Sequence, residues 1–253
     1  MKTILKISAL AVLLTSTGCG GGGSDANNNL EATVCPRVIN GENCDPLGSP
    51  IVELNITSPK GAVSLCSGTV ISSTKVLTAA HCFLTSNVAS IVINNGRADI
   101  NAVSYSIHPG VKVESNSIIN DVAIVQAGSP INSPTLPILI GTTPQVGDMI
   151  GINGFGLDEN GDLGTLKGGT MKISNVTANH VFAKYDGKLS NTCNGDSGGP
   201  ATYTINGTVS VIGITSSGIK TDCSEGDETL FTNIQSSSVL DYLTAVAPEI
   251  GIL

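Results

Sequence analysis

Gly195-Asp196-Ser197-Gly198-Gly199-Pro200, near the C-terminal end of the chain, sets a serine hydroxyl in a glycine-rich turn. In such a turn the neighbouring backbone N–H groups can face whatever the hydroxyl attacks, which is the layout of an acyl-transfer nucleophile. A serine hydroxyl reacts poorly near neutral pH and needs a general base, and imidazole has the pKa that suits the task. Thr78-Ala79-Ala80-His81-Cys82 supplies one, at the end of a β-rich run that includes Val70, Ile71, Val76 and Leu77. The imidazole must hold one tautomer and then carry a charge, and a buried carboxylate on its other nitrogen favours both. Asp121, opening the apolar run Asn120-Asp121-Val122-Ala123-Ile124-Val125, is the candidate. The backbone N–H groups of Gly195 and Ser197 are the candidate donors to a tetrahedral oxyanion. Singly, these pieces read as a surface turn, a core histidine and a strand-end cap; their co-occurrence in one chain is what points to catalysis.

Outward from these motifs the chain reads as short strands separated by turns. Thr202-Tyr203-Thr204-Ile205 and Thr208-Val209-Ser210-Val211 flank Asn206-Gly207, a strong hairpin signal, and residues 89–93, 102–107 and 148–152 are further strand candidates. No βαβ alternation or internal repeat is present. Residues 238–246 carry a helical apolar period through Val239, Leu240, Leu243 and Val246. Tryptophan is absent and aromatic residues make up 3% of the chain, so the core must rest on aliphatic side chains. The net charge of −8 argues against nucleic acid or anionic lipid as partners. Asp158-Glu159-Asn160-Gly161-Asp162 invites a calcium reading, but its glycine is misplaced and no distal glutamate completes an EF-hand. A solvated turn around Asn160-Gly161 is favoured, and neither a metal nor a cofactor is predicted.

The order His81, Asp121, Ser197, with Cys66-Ser67-Gly68-Thr69-Val70-Ile71 ahead of Cys82, resembles the trypsin/chymotrypsin family of serine endopeptidases. The resemblance implies an all-β fold of two antiparallel six-stranded barrels with a C-terminal helix, the site lying between the barrels. It implies disulfides Cys66–Cys82 and Cys193–Cys223; Cys35 and Cys44 are paired with each other because the partners of their family counterparts are missing. Arg37-Val38-Ile39-Asn40-Gly41 resembles the family's activation site, where a cut after Arg37 would free a Val38 ammonium to pair with Asp196. An exposed linker arginine is the alternative. By the same resemblance Asn191 forms the floor of the specificity pocket, Ser216 and Gly218 bind substrate backbone with Ser217 in place of the usual tryptophan, and Thr229 narrows the pocket wall. These imply an uncharged pocket that refuses basic side chains, so that another, trypsin-like protease must cut Arg37-Val38. The acidic run Asp222, Glu225, Asp227, Glu228 lies near enough to put a carboxylate inside instead. His108-Pro109 resembles a loop of the family, and His180 has no assigned partner.

The first residues, with Lys2 and Lys6 ahead of an apolar stretch too short to span a bilayer and Thr17-Gly18-Cys19 after it, resemble a bacterial lipoprotein signal. Residues 1–18 would be removed and Cys19 lipidated, making this a bacterial member of the family; plain secretion is the alternative. Residues 19–34 form a polar, glycine-rich tether with a root-mean-square span of roughly 20 Å. Residues 35–253 make the peptidase domain, mature from Val38. The chain is thus expected to be an extracytoplasmic serine endopeptidase, monomeric, held to the membrane through a lipid anchor or secreted, acting on protein or peptide substrates without nucleic acid. A non-catalytic binding or adhesion protein on the same scaffold is the alternative.

Overall fold

The computed structural model describes residues 42–84 and 87–253. The expected leader 1–18 and the expected tether 19–34, and with them Cys19, Cys35, Arg37 and Val38, lie outside the described residues, and so does the pairing expected for Cys35; Cys44 is described and buried.

A two-residue strand β1 (Glu42–Asn43) precedes the first barrel. In β2 (Ile51–Thr57) alternate residues Val52, Leu54 and Ile56 are buried, as a period of two requires of a half-buried strand. β3 (Val63–Ser72), β4 (Lys75–Thr78), β5 (Ser90–Asn94), β6 (Asp99–Ile107), a small ribbon of β7 (Lys112–Val113) and β8 (Ile118–Ile119), and then β9 (Ala123–Ala127) follow. They close a barrel in the order β2-β3-β4-β9-β6-β5. The expected strands at 89–93 and 102–107 correspond to β5 and β6.

The second barrel uses β10 (Met149–Gly154), β11 (Lys167–Val176), β12 (His180–Lys184), β13 (Pro200–Ile205), β14 (Thr208–Gly218) and β15 (Glu228–Asn233). The β11–β12 pairing closes these six antiparallel strands into a ring, with β1 beside β11. Asn206 at φ 50° and Gly207 at φ 81° turn the chain between β13 and β14, the left-handed pair that a tight hairpin demands. The interior is aliphatic apart from a few rings, with Phe231, Ile150, Ile152, Met171, Ile212 and Val181 packed together. The helix α1 (Ser237–Val246) is capped by Ser236, whose hydroxyl accepts from Val239 N. Its buried residues Val239, Tyr242 and Leu243 belong to the same core as the first barrel, and the Tyr242 hydroxyl donates to Ser106 O on β6 at 2.6 Å. Two barrels and one C-terminal helix are therefore the fold, as the resemblance implied.

The turn at Asn160-Gly161 forms and is solvated, as expected from sequence, with Gly161 N donating to Asp158 O; only the acidic residue that opens it is buried. Asp158 is buried; its Oδ1 accepts from Asn160 N and Asp162 N while its Oδ2 takes the Lys167 ammonium. The hydrogen bond from Lys167 holds the carboxyl down at about 2, so the acidic group that suggested a cation is already matched by one.

Candidate active site

The serine turn lies on the seam between the barrels. Ser67 N on β3 donates to Ser197 O at 2.8 Å, and Gly198 N donates to Thr215 O on β14 at 2.8 Å. A Cβ on Gly198 would lie 2.0 Å from Thr78 Oγ1 and 2.4 Å from Ser67 O, and its φ is +84°. Only glycine suits a left-handed residue wedged this closely against the first barrel.

His81 sits in a short 3₁₀ turn (Ala80–Phe83) that the Cys66–Cys82 disulfide fastens to β3, with the two Cα atoms 6.5 Å apart. Asn120, at φ 53°, bends the chain just before Asp121, whose side chain is fully buried. Burying a carboxylate is costly unless its oxygens are matched by donors. Here Oδ1 accepts from His81 N at 2.8 Å, while Oδ2 meets His81 Nδ1 at 2.7 Å and the Ser216 hydroxyl at 2.5 Å. An ionised carboxylate only accepts, so Nδ1 carries the proton and the neutral ring keeps its lone pair on Nε2. His81 and Ser197 line one cavity of about 270 Å³.

Within the turn, Asp196 N donates to Cys193 O and Gly199 N to Asp196 O. The N–H groups of Gly195 and Ser197 donate to no group among the described residues. Asp196 is wholly buried, with Oδ1 accepting from Gly156 N and Oδ2 from Cys193 N, both at 2.8 Å. Burial outweighs these two donors and pushes its carboxyl up to about 7. Ser67, which sequence reasoning quoted only within the Cys66–Ile71 motif, braces the same turn: its hydroxyl donates to Gly195 O at 2.9 Å and accepts from Phe155 N at 2.9 Å. Ser67→Ala strands the buried Phe155 N–H and the partly buried Gly195 carbonyl, and is expected to destabilise the fold by about 1–3 kcal/mol. Urea denaturation of the variant against wild type measures this.

Residues 38–241 match the family model for trypsin. The chain belongs to the trypsin family. Among its relatives is brachyurin of Leptuca pugilator, 31% identical over 209 residues that cover 72% of this chain and 89% of the relative. Chymotrypsin-C of Bos taurus is 26% identical, covering 85% of this chain and 90% of its own. The solved structure of HL collagenase superposes with a TM-score of 0.68 at 22% identity, over 82% of this chain and 97% of the other.

Compared with what the trypsin family pattern led us to expect, the pocket is differently built. Ser216, Ser217 and Gly218 line the cavity, but Asn191 and Thr229, both fully buried, lie outside its lining. Thr192 and Asp227 line it instead. The lining therefore includes a carboxylate, the outcome that the acidic run left open, together with Lys220. The reason is local. β14 has a register shift between Thr215 and Ser217 and then sets Gly218 opposite Thr229, while the Cys193–Cys223 disulfide and a left-handed Cys223 fold the connecting loop inward. That leaves Asp227, just ahead of β15, against Gly218, where an added Cβ would sit 3.0 Å from its Oδ2.

The two other histidines are structural. His108 Nδ1 accepts from Gly110 N and its Nε2 meets Ser238 O at 3.0 Å, tying a loop of the first barrel to α1. His180 Nε2 meets Ile118 O at 3.0 Å, joining β12 to β8.

Proposed function

We propose that this protein is a serine endopeptidase made as an inactive precursor and activated by a cut after Arg37. The observation that carries the reading is the clamping of His81 by a buried, fully matched Asp121 in the same cavity as Ser197, beside two uncommitted backbone N–H groups. His81 Nε2 takes the Ser197 proton as Oγ attacks the scissile carbonyl. Asp121 stabilises the imidazolium so formed, and the N–H groups of Gly195 and Ser197 receive the oxyanion. Collapse of the tetrahedral species transfers the proton from Nε2 to the leaving amine and leaves an acyl-enzyme. Water, activated by the same imidazole, hydrolyses that ester and restores Ser197.

Activation follows from Asp196. In the uncut chain residue 38 is part of a peptide bond and brings no ammonium to this buried carboxylate. A cut after Arg37 frees one on Val38, and its pairing with Asp196 fixes the turn that carries Ser197 and the oxyanion donors. Removal of residues 1–18, with Cys19 lipidated or the chain simply secreted, would deliver the 35–253 domain, monomeric and mature from Val38, outside the cytoplasm on its 19–34 tether. Disulfides Cys66–Cys82 and Cys193–Cys223 suit such an oxidising compartment.

The test is incubation of the cut protein with a peptide library and an unfolded protein substrate, with product ends read by mass spectrometry. Internal cleavage by the wild type and none by Ser197→Ala is expected. Retention of substrate without cleavage would instead favour a binding protein on a protease scaffold.

A further inference from the structure

The loop that packs against the serine turn is closed by a buried ion pair. It leaves β10 after Gly154 and enters β11 at Lys167, and these two residues face each other across the β10–β11 ladder. Asp158 and Lys167 are both buried, and the ammonium meets Asp158 Oδ2. Oδ1 of the same carboxylate accepts from Asn160 N at 2.8 Å and from Asp162 N at 2.9 Å. One side chain thus gathers the turn of the loop and ties it to the strand at its base. The pair stays charged at neutral pH, because the hydrogen bond from Lys167 holds the Asp158 carboxyl at about 2.

The tied loop holds a single peptide unit of the serine turn. Leu157, the residue ahead of Asp158, donates its N–H to Asn194 O at 2.8 Å. Asn194 O and the Gly195 N–H belong to one planar trans peptide and point in opposite directions, so a fixed carbonyl aims the N–H. Glycine itself gives this unit little resistance to rotation, since Gly195, at φ +102°, has no Cβ. The restraint comes from the loop. Besides the Leu157 bond, Gly156 lies directly against Gly195, where an added Cβ would sit 2.8 Å from Gly156 Cα, and Gly156 N is fastened to Asp196 Oδ1 at 2.8 Å.

We propose that Asp158 and Lys167 are positioning residues for the reaction, holding Leu157 N against Asn194 O and so keeping the Gly195 N–H aimed at the oxyanion. The proposal rests on the endopeptidase reading, which makes that N–H a donor. Removal of either member strands the other. Lys167→Met leaves a buried carboxylate oxygen unmet. Asp158→Asn keeps its oxygen on Asn160 N and Asp162 N and therefore turns its NH₂ toward a buried ammonium, donor against donor. Both conflicts are relieved by moving the loop toward water, and Leu157 moves with it. Adding Lys167→Gln to Asp158→Asn removes the conflict, because the glutamine oxygen accepts from the asparagine NH₂ and a neutral hydrogen bond replaces the ion pair.

Steady-state kinetics of the cut protein on a peptide substrate, together with hydrogen exchange of the Leu157 amide followed by NMR, test the inference. An oxyanion donor acts in the transition state, so Lys167→Met and Asp158→Asn are each expected to lower kcat by about 10- to 10²-fold with KM changed by less than about threefold. The Leu157 N–H should exchange about tenfold faster in both. The double variant Asp158→Asn/Lys167→Gln is expected to recover most of both losses, where general damage to the fold would make the two changes add. Wild-type kcat in the single variants, a fall in kcat with Leu157 exchange unchanged, or a further fall in the double variant overturns the inference. A single variant that does not fold leaves the decision to the double, in which kcat near wild type supports the inference and a tenfold loss overturns it. If the wild type cuts no peptide, the endopeptidase reading fails separately, and faster Leu157 exchange in the single variants, restored in the double, still shows that the pair holds the Asn194–Gly195 peptide, while unchanged exchange overturns that as well.

Discussion

Replacement of Ser197 or His81 by alanine is expected to lower kcat/KM for peptide hydrolysis by about 10³- to 10⁶-fold, with the fold intact by circular dichroism. Asp121→Asn is expected to cost about 10⁴-fold for a different reason. The carboxylate oxygens of Asp121 meet three donors, His81 N, His81 Nδ1 and the Ser216 hydroxyl. An asparagine must present an NH₂ to one of them. If it faces Nδ1, the ring takes the other tautomer and turns a proton, where a lone pair is needed, toward Ser197. Ser216→Ala removes a donor yet leaves the tautomer alone, so its loss should be smaller, about tenfold or a little more, consistent with one charge-assisted hydrogen bond. Comparing Asp121→Asn with Ser216→Ala in steady-state kinetics separates control of the tautomer from solvation of the carboxylate.

The uncut chain, with Arg37–Val38 intact, is expected to be about 10²- to 10³-fold less active than the cut form, the cost of leaving a buried charge without its partner. Asp196→Asn should stay at that low level after the cut, since Val38 would then have no anion to meet. The same carboxyl makes a pH prediction. In the uncut chain burial raises Asp196 from 3.8 to about 7. Across that window the folded chain holds a proton that the unfolded chain has released, so the contribution of Asp196 to stability falls as pH rises from about 4 to about 7. An ammonium beside it favours the ionised form and removes the fall. Urea unfolding of cut and uncut Ser197→Ala proteins at pH 4.5 and 7.5 is the measurement, and parallel curves for the two forms would contradict the pairing of Val38 with Asp196.

Much of this was readable in the sequence because it is local. The motifs around His81, Asp121 and Ser197 announce their chemistry by residue type, and the two disulfides bracket those motifs. The hairpin at Asn206-Gly207 forms because both residues tolerate a left-handed backbone. The pocket was not readable in the same way. Counting along the chain from Cys223 led to Thr229 and Asn191, yet which side chain reaches the cavity depends on a register shift in β14 and on the path of the loop after it. Asp227 was visible only as a member of an acidic run. Ser67 was legible as a member of the Cys66–Ile71 motif but not as a brace, since that role exists only across the barrel seam, where its hydroxyl meets Gly195 O and Phe155 N. His180 similarly acquires its partner, Ile118 O, from the small β7–β8 ribbon.

The central claim, that Ser197 is a nucleophile activated by His81, is tested most directly by reacting the cut protein with an organophosphate such as diisopropyl fluorophosphate and mapping the adduct by mass spectrometry. The account predicts stoichiometric labelling of Ser197 alone, strongly slowed in His81→Ala and in the uncut precursor. Absence of labelling in the cut wild type, or labelling unaffected by His81→Ala, would contradict it.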